Sequence, residues 1–354
     1  MATKKIVTVV GARPQFVKAA VVSRAISKAN QENGAALTEE IIHTGQHYDS
    51  GMSQVFFDQM DIPAPAVNLN IGSGQHGETT GKMLQGIEQE LLARSPDLVL
   101  LYGDTNSTLA GALAAVKLHL PVAHVEAGLR SYNRTMPEEI NRIVTDTIST
   151  HLFCPSSSAE MFLHREGITK GVHVVGDVMV DALLYYRSKA IAPTIDGPFA
   201  LATLHRAENT DNPARLKGIL EGFRQSPIPI VLPIHPRTEK ALKTTGLSLP
   251  DTVVTQKPAS YFEMLGLLKD CRFVLTDSGG LQKEAYVFQK RCVTLRDETE
   301  WNELVEADCN RLVGANTSMI LEALEWADTP LNVSTAFYGD GESAARIVEI
   351  IQAT

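Results

Sequence analysis

Residues 97–128 read DLVLLYGDTNSTLAGALAAVKLHLPVAHVEAG, and this stretch decides the fold. Its two ends, DLVLLYGD and PVAHVEAG, are nearly continuous apolar runs, which is typical of strands buried on both faces of a parallel sheet. The stretch between them, TNSTLAGALAAVKLHL, has the length and the pattern of a helix. Because parallel neighbours need a crossover connection, which is right-handed within one sheet, the segment predicts a strand–helix–strand unit.

The same alternation of strands and helices continues along the chain in two series. Two series predict two doubly wound, Rossmann-like α/β domains with the active site in the cleft between them. We expect the first domain at residues 1–170 and the second at 171–338, and a last helix at 339–354 that could pack back on either domain. The stretch SKAIAPTIDGP (188–198), with two prolines and a glycine, is typical of a connector. The other strand-like runs are KIVTVVG, EIIHTG and HLFCPS in the first series and GVHVVGD, FALATLHR, PIVLPIHP, TVVTQKP, RFVLTDSGG and RCVTLRDE in the second.

The composition is that of an ordinary globular protein. The chain has 354 residues, of which 44% are hydrophobic and 21% are charged, and this argues against wholesale disorder. Its formal net charge of −9 disfavours nonspecific binding to nucleic acid or to an anionic membrane. The N-terminal residues run directly into a predicted strand, without the apolar segment of a signal peptide, and no apolar stretch reaches membrane-spanning length. We therefore expect a soluble, cytoplasmic protein that binds anions only through local basic groups and helix N-termini.

Sequence motifs for a metal or a dinucleotide are missing. The four cysteines form no CxxC pair, and three of them lie in or beside apolar runs, so we interpret them as small buried hydrophobic residues. No first strand–helix turn carries a GxGxxG fingerprint, which argues against a dinucleotide and against oxidation–reduction chemistry. No DxD motif or histidine cluster indicates a metal site. We expect neither a metal nor a cofactor.

The first candidate loop follows the first predicted strand, where the carboxyl edge of a parallel sheet binds ligands. In VVGARPQFVKAA, Pro14 suits the first position of a helix, so Arg13 and Lys18 would both point to that helix N-terminus. One interpretation is a clamp for a phosphate or carboxylate group. The other is a plain strand–helix turn with exposed basic residues.

Three carboxylates form the second group of candidates. Asp104 ends the run DLVLLYGD and could equally be a helix N-cap or a catalytic acid. Glu126 ends PVAHVE, where the sheet would open, and is harder to explain as structural. Glu138 follows Pro137, and an acid in a first helical turn is unremarkable when taken alone.

The second domain carries two further candidate loops. His205 and Arg206 end its first predicted strand, and such a pair favours phosphate binding or acid–base work over a purely structural role. In VLTDSGGLQKEA, the small residues Ser278, Gly279 and Gly280 would let backbone amides approach a diphosphate at a helix N-terminus. Glu284, more than one turn into that helix, could accept hydrogen bonds from ribose hydroxyls.

Taken together, these loops resemble the non-hydrolysing UDP-N-acetylglucosamine 2-epimerases, which have the two-domain GT-B architecture. The motifs GDT, HVEAGLR, PEEINR, GDVMVDALL and TDSGGLQKEA occur in one order and cover essentially the whole chain. The resemblance implies a UDP-sugar substrate, and many enzymes of this type are homodimers. It implies catalytic roles for Asp104, Glu126, Glu138 and His205. It also implies UDP or substrate binding by Arg13, Lys18, Gln46, His47, Arg206, Ser278, Gly279, Gly280 and Glu284.

The family chemistry explains why acids and anion-binding groups occur together. The C2 proton of the sugar is not made acidic by an adjacent carbonyl, so the family eliminates UDP across C1–C2 to a 2-acetamidoglycal. UDP then adds back after protonation on the other face. This route needs an acid, a base and a held leaving group. By resemblance the three carboxylates supply the acid–base roles, and the sequence leaves open which of them takes the proton.

Four departures from the commoner family motifs point to a particular substrate. The segments GARPQF, HTGQHYD, HRAEN and LRDETEW are similar to those of the branch that acts on UDP-2,3-diacetamido-2,3-dideoxyglucuronic acid. That branch forms the manno epimer for surface polysaccharides such as lipopolysaccharide O-antigen. The additional carboxylate of this sugar needs a partner, and Arg134 and Arg296 are candidates because they lie on loops of the expected cleft. Gln15 replaces an acidic residue of the family and would ease binding of a second anion.

Four other interpretations remain open at this point. The chain could be a generic epimerase that converts UDP-N-acetylglucosamine to UDP-N-acetylmannosamine. It could be a GT-B glycosyltransferase, which shares the nucleotide-binding loop but transfers the sugar to an acceptor. It could be a hydrolysing epimerase, which releases free sugar, or a sugar-nucleotide sensor without catalysis. A sensor would not need three carboxylates at its binding site.

Overall fold

The chain folds into two compact α/β units. The computed structural model describes residues 3–34, 36–46, 60, 62–331, 333 and 336–354. The first unit consists of Met1–Ala182 and Ala336–Thr354, and the second of Leu183–Thr335. The polypeptide therefore passes into the second unit once and returns to the first for its last residues.

The first unit is built on a parallel sheet. Its strands are β1 (Lys4–Val10), β2 (Leu37–His43), β3 (Val67–Asn68), β4 (Leu98–Tyr102), β5 (Val122–Val125), β6 (His151–Cys154) and β7 (Val172–Val174). They form a seven-stranded sheet in the order β3-β2-β1-β4-β5-β6-β7. The strand order reverses between β1 and β4, and such a switch point is where open parallel sheets bind ligands. The helices are α1 (Arg13–Asn33), α2 (His76–Arg94), α3 (Asn106–Lys117), α4 (Pro137–Ile148), α5 (Ser157–Arg165) and α6 (Val178–Tyr186), of which α6 continues from Leu183 in the second unit.

The second unit repeats this plan with a smaller sheet. Its strands are β8 (Ala200–Thr203), β9 (Ile230–Pro233), β10 (Val253–Gln256), β11 (Val274–Thr276), β12 (Cys292–Thr294) and β13 (Asn310–Leu312). They form a six-stranded parallel sheet in the order β10-β9-β8-β11-β12-β13, with a switch point between β8 and β11. The helices are α7 (Ala207–Thr210), α8 (Pro213–Arg224), α9 (Pro236–Thr245), α10 (Tyr261–Asp270), α11 (Gly279–Val287), α12 (Asn302–Glu306), α13 (Thr317–Ala327) and, back in the first unit, α14 (Ser343–Ala353).

Small side chains bring α3 close to the first sheet. Gly111 lies on α3, and a Cβ atom added there would lie 2.7 Å from Cδ2 of Leu101 on β4. Ala110 and Ala112 of the same helix are fully buried against the core strands. This close packing fixes the start of α3 relative to the end of β4, where Asp104 lies. The predicted strand–helix–strand unit is confirmed, with β4, α3 and β5 in that order.

The two units differ from the expected domains at one boundary, and they answer where the last helix packs. The boundary after residue 170 is wrong, because GVHVVGD forms β7, which pairs with β6 in the first sheet. The first unit instead continues to Ala182. The last helix, α14, belongs to the first unit, where Nζ of Lys4 donates to the carbonyl of Ile351 at 2.8 Å. The sequence analysis also missed β3 and β13, which read VN and NRL and, unlike the other short strands, lie in no apolar run.

The cysteines behave as the sequence predicts. All four are free and buried: Cys154, Cys271, Cys292 and Cys309. Burial raises the pKa of each thiol, to about 12 for Cys271 and to about 11 for Cys309. They are therefore inert apolar residues in the core. None of the described helices is long and apolar enough to cross a membrane.

Candidate active site

Two of the predicted carboxylates lie at one edge of the first sheet. β4 and β5 are parallel neighbours, and Asp104 and Glu126 lie just beyond their carboxyl ends. The loops turn sharply there, since φ is +61° at Gly103 and +72° at Glu126. A left-handed backbone is common for glycine but unfavourable for glutamate, and such strain collects at functional sites.

Glu126 forms a buried ion pair with Lys18. Nζ of Lys18 lies 2.6 Å from Oε1 of Glu126, and the two side chains are only 8% and 12% exposed. The sequence analysis placed Lys18 at the N-terminus of its helix as part of an anion clamp. In the structure its ammonium group instead contacts a candidate catalytic carboxylate. Because this pair is nearly removed from water, its attraction is much stronger than that of a surface pair.

Asp104 is not the N-cap of α3. Thr105 is the N-cap, and its hydroxyl accepts a hydrogen bond from the backbone amide of Thr108 at 3.3 Å. The carboxylate of Asp104 lies 2.5 Å from a guanidinium nitrogen of Arg142 on α4. The N-cap interpretation of Asp104 is therefore excluded, because Thr105 caps the helix. The charge of Asp104 instead faces Arg142 and solvent.

Glu139, which the sequence analysis did not single out, holds the segment before α4 in place. Its side chain is fully buried and lies 2.8 Å from Arg142. It also accepts hydrogen bonds from the backbone amides of Ser131 and Tyr132, at 3.0 and 2.9 Å. A buried carboxylate with several donors fixes the chain around it. Glu139 therefore orients Arg142, and through it Asp104.

Glu138 has the opposite character to its neighbour. It lies in the first turn of α4, beside Pro137, and its side chain is exposed. Within the described residues it takes part in no hydrogen bond or ion pair. It is the candidate carboxylate whose surroundings leave it open to a ligand. The structure thus places the three predicted carboxylates in different settings, of which two have a cationic partner.

Gln15 links the loops at the first switch point. Its amide oxygen accepts from the backbone amides of Gly11 and Ala12, at 2.8 and 3.0 Å. Its amide nitrogen donates to the carbonyl of Tyr102 and to the hydroxyl of Thr108, at 2.8 and 3.0 Å. The side chain is 1% exposed. These four partners assign Gln15 to the frame of the site, and the expectation that the missing negative charge eases binding of an anion stays a prediction.

Gln46 lies at the same edge of the sheet. Its side-chain oxygen accepts from the hydroxyl of Ser107 at 2.7 Å, at the start of α3. His47, which the family resemblance places in the same loop, lies outside the described residues. Arg13 is the first residue of α1 and is half-buried, and Arg134 is exposed on the segment before α4. Gln46 and Arg13 thus lie at the carboxyl edge of the first sheet, and their roles in ligand binding stay predictions.

In the second unit, Asp277 organises the switch point between β8 and β11. Its carboxylate is fully buried and accepts hydrogen bonds from the backbone amides of His205 and Arg206, at 2.9 Å each for Oδ2. Nδ1 of His205 lies 3.2 Å from Oδ1 of Asp277. The carboxylate therefore fixes both the loop and the imidazole ring. Asp277 belongs to the quoted motif TDSGG, but the sequence analysis did not name it.

The predicted anion-binding turn lies at the start of α11. Ser278 is the N-cap, yet its side chain makes no capping hydrogen bond among the described residues, so the first amides of α11 have no side-chain cap. The two glycines differ. A Cβ atom at Gly279 would lie 2.3 Å from a carboxylate oxygen of Glu300, whereas one at Gly280 would have no atom within 4 Å. Gly280 therefore borders open space, and Glu284 lies half-buried further along α11.

The segment LRDETEW braces this turn from behind. The indole nitrogen of Trp301 donates to the carbonyl of Gly279 at 2.9 Å. Arg296 is 1% exposed and pairs with Glu300 at 2.9 Å, and Glu300 packs against Gly279. The proposed role of Arg296 as a partner for a sugar carboxylate therefore needs correction. Its guanidinium already binds Glu300, which packs against the turn.

Some of these roles carry no signal in a single sequence. Lys18 and Glu126 are 108 positions apart, and nothing in their local patterns connects them. Glu139 stands next to Glu138, and only burial separates the two. For Asp277 a signal existed, since an acid between an apolar strand and a glycine-rich helix start is a common position for a carboxylate that binds backbone amides.

Two Rossmann-like parallel units with polar loops at each switch point define a GT-B protein, as the sequence predicts. Comparison with known proteins then gives the family. The family model described as UDP-N-acetylglucosamine 2-epimerase matches residues 28–352. The chain belongs to this family of sugar-nucleotide isomerases.

Relatives agree with this assignment along their whole length. The UDP-2,3-diacetamido-2,3-dideoxy-D-glucuronate 2-epimerase of Pseudomonas aeruginosa is 50% identical over 98% of this chain and 99% of its own. The crystal structure of the Methanocaldococcus jannaschii UDP-GlcNAc 2-epimerase in complex with UDP-GlcNAc and UDP has a TM-score of 0.90 at 43% identity, over 99% of this chain and 100% of that chain. The glycosyltransferase VinC reaches a TM-score of 0.50 at 12% identity, which shows a shared fold alone. The glycosyltransferase interpretation therefore loses its support.

Proposed function

We propose that this protein inverts C2 of a UDP-2-acetamido sugar by eliminating UDP to a 2-acetamidoglycal and adding it back on the other face. The observation that carries the proposal is the arrangement of charge at the first switch point. Asp104 and Glu126 end neighbouring strands, and each faces a cation from a helix, Arg142 and Lys18. A scaffold that only bound a sugar nucleotide would gain nothing from carboxylates held by cations at this edge.

The carboxylates of the first unit carry the acid–base work in this proposal. Proton transfer to and from carbon needs groups that are held firmly but can still reach the substrate. Asp104 and Glu126 are held by their cations, while exposed Glu138 has no partner among the described residues. These settings support a division of roles in which the paired carboxylates act from fixed positions. Glu138 is then the group that exchanges protons with solvent between turnovers.

The second unit binds UDP in this proposal. The start of α11 offers backbone amides to the diphosphate at Ser278, Gly279 and Gly280. Open space at Gly280 supports a close approach of the ligand. Glu284 accepts from the ribose hydroxyls, and His205, held by Asp277, assists at the diphosphate with Arg206. Arg13 and Gln46 bind the substrate from the first unit.

We propose UDP-2,3-diacetamido-2,3-dideoxyglucuronic acid as the substrate, with UDP-N-acetylglucosamine as the alternative. The relative that acts on the diacetamido sugar by its name is 50% identical over nearly the whole chain. With Arg296 paired to Glu300 in the frame of its loop, exposed Arg134 remains as the candidate partner for the sugar carboxylate. We also infer that the enzyme is a cytoplasmic homodimer that supplies surface polysaccharides such as O-antigen. Light scattering of the purified protein tests the dimer.

The test of the function uses both UDP-sugars side by side, without any acceptor. We expect each active reaction to give the manno epimer and no free sugar, with kcat/KM much higher for the diacetamidoglucuronate. A site that pairs a substrate's polar groups can reject an analogue lacking them by up to about 10⁴–10⁵-fold. Equal kcat/KM values for the two sugars would show a generic UDP-N-acetylglucosamine 2-epimerase without preference for the diacetamido sugar. Free sugar as a primary product would identify a hydrolysing enzyme, and no epimer from either sugar would refute the proposal.

A further inference from the structure

A buried chain of hydrogen bonds lies behind the two carboxylate loops. His124, on β5, has both ring nitrogens engaged and is fully buried. Its Nδ1 lies 2.7 Å from Oδ1 of Asp146 on α4, and its Nε2 lies 2.7 Å from the carbonyl oxygen of Gly103. Since a carbonyl only accepts, the hydrogen-bond partners assign a proton to Nε2, and a second proton lies between Nδ1 and the Asp146 carboxylate. His124 thus joins Asp146 to the residue immediately before Asp104.

The second oxygen of Asp146 extends the chain to the other loop. Oδ2 accepts from the backbone amide of Gly128 at 3.1 Å and from Nη1 of Arg130 at 2.7 Å. Gly128 lies two residues after Glu126. One fully buried carboxylate therefore binds groups on both catalytic loops, one directly and one through His124.

Arg130 completes the charge balance of this cluster. It is 1% exposed, and besides Asp146 it binds Glu166 with two hydrogen bonds, at 2.8 and 2.7 Å. Burial disfavours the charged guanidinium, but Glu166 and Asp146 outweigh burial and raise the pKa of Arg130 above its ordinary value. The cluster is therefore a satisfied polar network, of the kind that makes a buried region rigid.

The backbone beside the two carboxylates needs such support. Gly103, Glu126 and Gly128 all have positive φ, at +61°, +72° and +82°. A conformation of this kind persists only where surrounding contacts determine it. The chain from Gly103 through His124 and Asp146 to Gly128 provides hydrogen bonds on both sides of Glu126 and just before Asp104. The side chains of this chain and of Arg130 are buried, and Glu166, which binds Arg130, is 33% exposed.

We propose that His124 and Asp146 are positioning residues, which set the spacing of the Asp104 and Glu126 carboxylates through the backbone of their loops. The inference rests on the proposed function, because it assigns to these carboxylates the proton transfer at C2. A misplacement of about 1 Å can cost on the order of 10²-fold in rate, even when the mutation is remote from the reacting atoms.

Two substitutions of His124 separate its two hydrogen bonds. The amide nitrogen of Asn takes the place of Nδ1, so His124→Asn keeps a donor toward Asp146 and loses the one to Gly103. The amide nitrogen of Gln takes the place of Nε2, so His124→Gln keeps the donor to Gly103. Both variants leave the Asp146 carboxylate in place, with its bonds to Gly128 and Arg130. His151→Gln, at the first residue of neighbouring β6, is the matched control.

The experiment measures kcat, KM and melting temperature for the four proteins, and the affinity for UDP by calorimetry. We expect His124→Asn to lower kcat on the order of 10²-fold, with KM, UDP affinity and fold retained. His124→Gln should keep kcat within about tenfold of the wild type, and His151→Gln should match the wild type. Equal kcat values for the Asn and Gln variants, whether both high or both low, would overturn the inference. If the wild type itself forms no epimer, the proposed function fails and the inference with it.

Discussion

The carboxyl edges of the two sheets share a topology and differ in the groups that they present. At the first edge, carboxylate side chains face cations, as in the pairs of Glu126 with Lys18 and Asp104 with Arg142. At the second edge, the buried carboxylate of Asp277 accepts hydrogen bonds from backbone amides, and the start of α11 presents backbone groups. In the proposed function the first edge moves protons, and the second holds an anion. The same fold thus supports two kinds of chemistry, and the difference lies in a few loop residues.

The largest effect is expected from the carboxylates of the first edge. Glu126→Gln, Asp104→Asn and Glu138→Gln keep the shape of each side chain but remove its charge and its proton exchange. Because general acid–base groups contribute about 10²–10⁴-fold, kcat should fall by about that factor while UDP affinity stays close to the wild type. Steady-state kinetics and calorimetry measure the two quantities.

Glu32→Gln is the control for these substitutions. Glu32 lies near the end of α1 and its side chain is 61% exposed, so its loss should leave kcat unchanged. A loss of less than tenfold for all three carboxylate variants would mean that the first edge is structural, and the contrast between the two edges would disappear.

A smaller effect is expected at the second edge, where two adjacent glycines should respond differently. Gly280→Ala adds a methyl group in open space, so the protein should fold normally while UDP affinity falls by roughly tenfold, about 1.4 kcal/mol. Gly279→Ala would bring Cβ to 2.3 Å from Glu300, so it should lower the free energy of unfolding by about 1–3 kcal/mol. Calorimetry and denaturant unfolding separate the two outcomes. Unchanged UDP affinity in Gly280→Ala would show that the nucleotide does not approach this turn.

The fold follows from the sequence where apolar runs and helical patterns are long. β4, α3 and β5 are of this kind, and so are β8 and β11. The position of β7 could not be predicted, because GVHVVGD reads as a strand of either sheet and only its pairing with β6 decides. The short strands β3 and β13, with the sequences VN and NRL, lie in no apolar run that would indicate them.

The candidate site could be predicted as a set of loops but not as a set of contacts. Asp104 and Glu126 stand out because each ends an apolar run. The partner of Glu126 does not stand out in the sequence, because the pattern around Lys18 is equally typical of an anion ligand. Which of the two groups Lys18 contacts depends on how the chain folds. Arg296 was taken as a candidate partner of the substrate for a similar reason. Burial and hydrogen bonds decide such cases, and neither is visible in a local pattern.

The smallest expected effect concerns stability, away from both edges. Burial, and next the nearby His173 and Lys4, lower the pKa of His151. The unfolded chain then binds a proton at this residue more readily than the folded one, so stability is present above about pH 6.5 and declines as the pH falls below it. His151→Gln removes this loss. Its free energy of unfolding should stay within about 0.5 kcal/mol of the wild type at pH 8 and gain relative to it at pH 5, as measured by denaturant titration. An identical pH dependence in both proteins would contradict this.

The central claim is that the first edge removes and returns the proton at C2 of a UDP-sugar. The measurement that tests it most directly is turnover in D₂O, followed by NMR of the product at C2. Elimination and re-addition require solvent exchange at this carbon, so we expect deuterium at C2 of the epimer formed by the wild type. No deuterium should enter with Glu126→Gln on the same timescale. Full conversion with the original proton retained at C2 would contradict the account.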